Sequence, residues 1–333
     1  MNLIFTSRPL IAVTMGDPAG VGPEVALKAL AVCYKSSRSR YCLIGDYPYL
    51  SRLSKKLHLR LPLVRLTAGG QNGKLGPVVV WDMGGAQGVS MGKISANAGA
   101  AAVMYISAGS KMALEGKAAA LVTAPIQKES IHKAGCPFPG HTELLAYLSH
   151  TKSFAMMMVG GPFKIVLQSI HMSLREALGQ VTVPKIMEHL ELTQKSMRYW
   201  FKIKNPRIAV AGLNPHAGEN GAFGKEEIKI LKPAIEKARQ KGWDVTGPHP
   251  PDTLFYWVSK GKYDAVLCMY HDQGLIPFKL TSFDTGVNMT LGLPFIRTSP
   301  DHGTAFDIAG KGKANPSSMI SAIRLAEKLA ART

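Results

Sequence analysis

Short apolar runs alternate with longer amphipathic segments along nearly the whole chain, and that alternation is the tightest constraint on its fold. Residues 10–15, 41–44, 78–81, 118–122, 154–159, 165–167, 208–211 and 265–269 are such runs, of the length and composition of buried strands. Helices are predicted between them. Ser95 suits the N-cap of an Ala-rich helix reaching about Glu115, residues 183–201 carry helical spacing, and residues 225–240 stop just before Gly242, a residue that commonly closes a helix. Strands and helices in alternation predict a layered α/β fold with much parallel sheet. In such folds ligands bind beyond the carboxyl ends of the strands. The Met156-Met157-Met158 run lies inside an apolar strand and reads as core.

At 333 residues the chain exceeds a usual single domain, so one large α/β unit or two lobes is expected. No repeat, low-complexity tract or Gly/Ser linker divides it, which predicts lobes joined by more than one crossing. The hydrophobic share of 46% with 19% charged residues excludes a disordered or fibrous chain. Forty Lys and Arg against twenty-two acidic residues give a formal charge of +18. The cations are scattered. The densest runs, 35–40 and 225–241, read as a loop and as the solvated face of a helix in which Glu226, Glu227 and Glu236 interleave with lysines. A nucleic-acid interface would concentrate such charge on one face, so an attraction for small anions is expected instead. Cys33, Cys42, Cys136 and Cys268 form no C-x-x-C pair, which suits buried thiols in a reducing compartment. Residues 1–10 lack the charged start and apolar stretch of a signal peptide, and no apolar run reaches about 18 residues. A cytoplasmic protein without a membrane partner is expected.

Five polar clusters could carry chemistry. The turn Thr14-Met-Gly-Asp-Pro-Ala-Gly-Val-Gly-Pro-Glu24 links a strand to a helix, with Pro23 in the first helical turn. It fits either a tight turn or a loop whose backbone approaches an anion. It is neither a P-loop nor a strict G-x-G-x-x-G. In Pro139-Gly-His-Thr-Glu-Leu-Leu145, His141 and Thr142 open a helix, as a plain cap or as donors to an anion. His171, His216 and His271 each follow a strand. Three imidazoles with an open position form a catalytic metal site if they converge, and are three satisfied polar residues if they do not. Lys279, Asn288 and Arg297 are of the types that bind phosphate and carboxylate, and would equally suit solvated surface. Residues 301–316, Asp-His-Gly-Thr-Ala-Phe-Asp-Ile-Ala-Gly-Lys-Gly-Lys-Ala-Asn-Pro, are long and polar enough for a functional loop.

Segments 16–24, 139–143, 214–219, 270–274 and 290–299 resemble, in order, the 4-hydroxythreonine-4-phosphate dehydrogenases of vitamin B6 biosynthesis, together with their relatives acting on 4-phospho-threonate and 4-phospho-erythronate. The resemblance covers residues 14 to about 318. It implies a two-lobed α/β/α fold of the isocitrate and isopropylmalate dehydrogenase type and not a Rossmann fold. Lobe one, residues 1–140 with 295–333, would be the cofactor side. Lobe two, residues 141–294, would carry the metal and the dimer contact. It further implies that His171, His216 and His271 hold a divalent metal, zinc, magnesium, cobalt or manganese. Substrate would be bound by His141, Thr142, Lys279, Asn288 and Arg297, and NAD by Gly16, Asp17, His302, Gly303, Thr304, Ala305, Asp307 and Asn315. Family members are similar in being homodimers.

The implied reaction is NAD-dependent oxidation of 4-phosphooxy-L-threonine to 2-amino-3-oxo-4-phosphooxybutanoate, a β-keto acid that decarboxylates. The metal would stabilise charge on the substrate oxygen. A proton acceptor is required, and Asp252, Asp272 and Lys128 each adjoin a motif. Asp272 could instead orient His271, and Asp252 could cap a helix. Arg297 and Lys279 favour a phosphorylated acid over the aromatic dihydrodiols that other relatives oxidise. They do not separate an amino group from a hydroxyl on the neighbouring carbon, so 4-phospho-D-threonate and 4-phospho-D-erythronate stay open. A non-catalytic metal or nucleic-acid binding protein is the reading from another class.

Overall fold

The computed structural model describes residues 8–66 and 76–332. Most of the segment on which the signal-peptide reading rests lies outside the described residues. The strands are β1 (Leu10–Thr14), β2 (Arg40–Gly45), β3 (Leu63–Leu66), β4 (Val78–Asp82), β5 (Ala120–Thr123), β6 (Ala155–Gly160), β7 (Phe163–Leu167), β8 (Ile208–Ala211), β9 (Val245–His249), β10 (Ala265–Cys268), β11 (Val287–Leu291) and β12 (Ile296–Pro300). The helices are α1 (Gly22–Ser36), α2 (Tyr47–Lys56), α3 (Ala96–Leu114), α4 (Lys128–Lys133), α5 (His141–Leu148), α6 (Leu174–Gln180), α7 (Val183–Tyr199), α8 (Lys232–Gln240), α9 (Pro251–Ser259), α10 (His271–Ser282) and α11 (Ser317–Ala330). The mixed α/β class expected from the sequence is found, with a large sheet.

Residues 1–151 and 293–331 form one compact unit, and 152–292 with 332–333 the other. Because α5 packs on α3, His141 and Thr142 belong to the first unit, where a boundary at 140 would put them in the second. In the first unit the strand order is β3-β4-β2-β1-β5-β12 and each pairing is parallel. β1 is buried along its whole length, as an interior strand covered on both faces must be. The Ala-rich α3 is capped by Ser95, whose side chain accepts from the Ala98 amide. Its small residues permit close approach: a Cβ at Gly109 would lie 2.7 Å from Leu121 Cδ1, and one at Gly99 would collide with the Ser130 carbonyl of α4.

In the second unit the order is β11-β6-β7-β10-β8-β9. β6 runs antiparallel to both β11 and β7, and β7, β10, β8 and β9 are parallel. Its core gathers Met158, Phe163, Ile165, Leu167, Val266, Leu275 and Phe278, with Met156 packed against it. The methionine run is therefore core, as its strand setting indicated.

Four strands escape the apolar-run reading. β3 contains the exposed Arg65 and β9 contains Gly247-Pro248; both end their unit's strand order, where a polar residue or proline breaks no inner ladder. β11 and β12 carry Asn288 and Arg297, polar residues that mask the strand pattern. Among the described residues, no helix is long and apolar enough to cross a membrane. Cys33, Cys42 and Cys268 are buried free thiols and Cys136 is half-buried.

Candidate active site

In the second unit β7, β10 and β8 are neighbouring parallel strands, and the loops past their carboxyl ends carry His171, His271 and His216 respectively. The rings of His171 and His271 are 5.6 Å apart, centroid to centroid. Both line a cavity of about 320 Å³ with Ser169, Met172, Tyr270 and Asp272. Asp272 Oδ1 lies 2.7 Å from His271 Nδ1, so the carboxylate takes the Nδ1–H and leaves Nε2 as the free ligand atom. The ring of His216 lies 6.3 Å from that of Phe223. Among the described residues no group of three His, Cys, Asp or Glu side chains is arranged to hold a metal ion. Two of the three imidazoles are brought together, then, and the third sits on the loop of the adjoining strand.

That loop has an uncommon backbone. Residues 216–220 all have positive φ, at 51, 53, 81, 42 and 52°, a run in which Gly218 is at ease and Asn220 is tolerated but Ala217 and Glu219 are strained. Glu227 holds the turn. Its Oε1 accepts from the Leu213 and Asn214 amides at 2.8 and 2.7 Å, and its Oε2 from Asn214 Nδ2 at 3.0 Å. The reading of Glu227 as part of a solvated face is corrected here, because the residue is 1% exposed. A signal for this was present: Glu227 shares a helical stripe with Leu231, Ala234, Ile235 and Ala238, all buried. Gln273 joins this loop to the one that precedes His271, accepting from the Met269 amide at 2.7 Å and donating to the Gly212 carbonyl at 2.6 Å.

The loop bearing His171 is tied down similarly. Ser169 Oγ donates to the Met269 carbonyl, and Gln168 Oε1 accepts from Nδ1 of His189 on α7 at 2.6 Å. Burial pushes the His189 imidazole down to about 4, so it is neutral in this role. Lys279 lies two turns further along α10 from His271, its ammonium 5.4 Å from the Phe283 ring centroid. Asn288 on β11 has a buried Oδ1 without a hydrogen-bond partner. Asp252 is exposed in the first turn of α9 and does not cap it.

In the first unit Arg297 of β12 is 2% exposed and donates to Thr123 Oγ1 at the end of β5, from Nη2 at 2.7 Å and from Nε at 3.2 Å. Burial lowers its pKa to about 10, against the attraction of Glu143, so it remains a cation at neutral pH. Burial and the charge of Arg297 hold His141 well below its ordinary value, a backbone hydrogen bond at Ala124 opposing them. The imidazole is neutral there, with its buried Nε2 unpartnered. His141 and Thr142 begin α5, whose N-cap is Gly140 without side-chain capping. A Cβ at Gly140 would lie 3.9 Å from Lys128 Cε, which puts the exposed Lys128 beside the same helix start. A buried guanidinium beside uncapped helix amides makes an environment for an anion, and the bare Nε2 of the neutral His141 next to them is an acceptor.

The cofactor candidates share this unit and are stitched together. Asp17 caps its own turn, Oδ1 accepting from the Ala19 amide at 2.8 Å, and burial raises its pKa. Gly16 has φ +72°, and a Cβ there would strike the Pro125 carbonyl. The Val21 amide donates to the Thr304 carbonyl at 2.9 Å, and Glu24 accepts from the Ala314 and Gly312 amides at 2.8 and 3.2 Å. Thus the first turn and residues 301–316 form one assembly. Thr304 is buried inside it, Ala305 is half-buried, and His302, Gly303, Asp307 and Asn315 are exposed. A Cβ at Gly303 would meet nothing within 4 Å, so there is open room along the loop for a flat ligand.

Parallel strands whose carboxyl ends present imidazoles, a buried cation and glycine-rich loops define an α/β enzyme of small-molecule metabolism. The family model of the pyridoxal phosphate biosynthetic protein PdxA matches residues 37–326, and the chain belongs to that family, the one its five segments resemble. It is 45% identical, over 96% of this chain and 95% of the relative, to 4-hydroxythreonine-4-phosphate dehydrogenase of Desulforapulum autotrophicum. It is 44% identical, over 96% and 98%, to D-threonate 4-phosphate dehydrogenase of Salmonella typhimurium. A crystal structure of 4-hydroxythreonine-4-phosphate dehydrogenase from Klebsiella pneumoniae superposes with a TM-score of 0.88 at 45% identity, covering 97% of this chain and 98% of that one.

Proposed function

We propose that this protein oxidises 4-phosphooxy-L-threonine to 2-amino-3-oxo-4-phosphooxybutanoate with NAD, in vitamin B6 biosynthesis. The secondary alcohol loses a hydride to NAD and a proton to the protein, and the β-keto acid product then loses carbon dioxide to give 3-amino-2-oxopropyl phosphate. The observation that carries the reading is the anion environment of Arg297 beside the uncapped start of α5, in a chain 45% identical to a dehydrogenase named for a phosphorylated substrate.

When bound, NAD supplies the hydride acceptor and a divalent metal supplies Lewis acidity toward the substrate hydroxyl. His171 and His271 would hold the metal, with His216 as third ligand; the paired rings and the Asp272 contact favour this donor set. Asp272 is the residue that orients His271, which leaves Asp252 and Lys128 as candidate proton acceptors. Arg297 and the first amides of α5 bind an anionic group of the substrate, Nε2 of the neutral His141 accepts from a substrate hydroxyl or amine, and Thr142 adds a donor; Lys279 and Asn288 of the second unit are further substrate-binding candidates. Gly16, Asp17 and the residues from His302 to Asn315 accommodate NAD. We further read the layering as that of isocitrate and isopropylmalate dehydrogenases, the protein as a cytoplasmic homodimer, and the lobes as divided between cofactor and metal.

The second reading, oxidation of 4-phospho-D-threonate or 4-phospho-D-erythronate, is favoured by the near-equal identity to the D-threonate enzyme. NADH absorbance with each of the three substrates, plus NAD and metal, tests both. Turnover greatest with 4-phosphooxy-L-threonine supports the first reading; turnover greatest with either sugar acid replaces it by the second, and no turnover of any of them refutes both.

A further inference from the structure

At the amino edge of the first unit's sheet, the opposite end of β1 and β2 from the turn and loop described above, lies a cavity of about 1110 Å³. Its wall comes from the segments leading into β1 and β2, the residues after α3 and the last turns of α11. Arg8, Arg38, Arg40, Lys117, Arg324 and Lys328 all line it, against a single carboxylate, Glu327. That carboxylate is already engaged: its Oε1 accepts from Ser37 Oγ at 2.5 Å and from the Tyr41 hydroxyl. Outside the wall, Glu115 pairs with Lys117 at 2.6 Å and offsets one cation.

Cations near helix C-termini offset the helix dipole, which accounts for Lys328 in the last turn of α11. It also covers Arg38, one residue past the C-cap of α1, but not Arg8, which precedes β1, or Arg40, which opens β2. The floor between the charges is apolar, formed by Pro9, Leu10, Ala119 and Ala330. A concave wall of one sign over a low-dielectric floor focuses the field on an anion inside it. Four of the six cations are arginines, whose fork matches two phosphate oxygens at once. The volume exceeds what one inorganic phosphate fills and suits a drug-sized molecule.

We propose that this pocket is a binding site for a small organic molecule bearing two or more phosphate groups, separate from the substrate and cofactor positions at the carboxyl edge. The cations supply the affinity and the apolar floor receives the organic body. Because the cations are spread around the wall, a ligand with a linear run of phosphates bridges them where a single phosphate reaches only one or two.

Isothermal titration of the full-length protein with ATP, with inorganic tripolyphosphate and with inorganic phosphate tests this, at constant ionic strength. The variant combines Arg38→Ala with Lys328→Ala, two exposed residues; the control combines Lys232→Ala with Lys237→Ala on the exposed face of α8, with the same change of net charge. The proposal expects ATP and tripolyphosphate to bind at least about tenfold more tightly than phosphate, with ATP the tighter of the two. It also expects a loss of tenfold or more in the Arg38/Lys328 variant and little change in the control. Absence of binding overturns it, as does an equal loss in the control, which would show a general charge effect. A single-stranded oligonucleotide that displaces tripolyphosphate and binds more tightly than ATP would make the face a nucleic-acid surface and likewise overturn it. Circular dichroism of both variants, unchanged from the parent, keeps a folding defect from being read as lost binding.

Discussion

Replacing Glu227 by glutamine should loosen the loop that presents His216. Glu227 Oε1 takes two backbone amides and Oε2 takes Asn214 Nδ2, all on a side chain 1% exposed. Hydrogen bonds to a charged group contribute about 1.5–3 kcal/mol each and neutral ones about 1. Glutamine keeps one oxygen for the two amides, now neutral, and turns an NH₂ toward Asn214 Nδ2, where two donors meet. Weakening two bonds by about 0.5–1 kcal/mol each and losing the third, worth about 1.5–3 kcal/mol, gives about 2.5–5 kcal/mol for opening the loop. At about 1.4 kcal/mol per decade, exchange of the Leu213 and Asn214 amides with deuterium should accelerate about 60- to 4000-fold. Amides of β10 should keep their protection, since their ladder with β7 and β8 is untouched. Glu226→Gln serves as the comparison. Glu226 accepts from the Asn214 side chain at 2.8 Å and from backbone amides of its own turn, and its loss should change exchange at Leu213 and Asn214 by less than about tenfold. Unchanged protection at Leu213 and Asn214 in Glu227→Gln, with the rest of the chain folded, would refute the argument that this carboxylate holds the turn.

Acid should weaken the second unit through His189. Its pKa is about 4 in the folded chain against an ordinary 6.5, so the unfolded chain binds the extra proton, and stability present above pH 6.5 is lost as pH falls toward 4. The full shift corresponds to about 3 kcal/mol; urea midpoints at pH 7 and 4.5 should show most of it, and His189→Gln should flatten the difference. Gly99→Ala should destabilise the first unit by about 1–3 kcal/mol, because the added methyl meets the Ser130 carbonyl and backbone must shift; an unchanged Tm would contradict the close α3–α4 approach. Arg297→Lys exchanges a fork for a point charge and gives up one of the two contacts to Thr123. The expected outcome is a KM for the phosphorylated substrate raised about tenfold or more, with KM for NAD unchanged, as read by initial rates.

The sequence by itself determined the parts whose signal is local. Apolar runs marked eight strands because an interior strand covered on both faces is buried along most of its length, and Ser95 announced α3 because a cap is decided by a few adjacent residues. It also determined the family, since segments 16–24, 139–143, 214–219, 270–274 and 290–299 stand in order along the chain. Only the tertiary structure decided what depends on neighbours distant in sequence. β9, with its proline, is a strand because β8 pairs with it, and Glu227 is a buried anchor because the loop after β8 folds over it. The fate of the three histidines divides in the same way. Their positions after strands could be read residue by residue, but strand order puts β10 between β7 and β8, which makes their three loops neighbours and brings the His171 and His271 rings to 5.6 Å. Spacing along a chain carries the local periodicity of hydrogen bonds and burial; which strand ends become neighbours is set by the packing of the whole sheet.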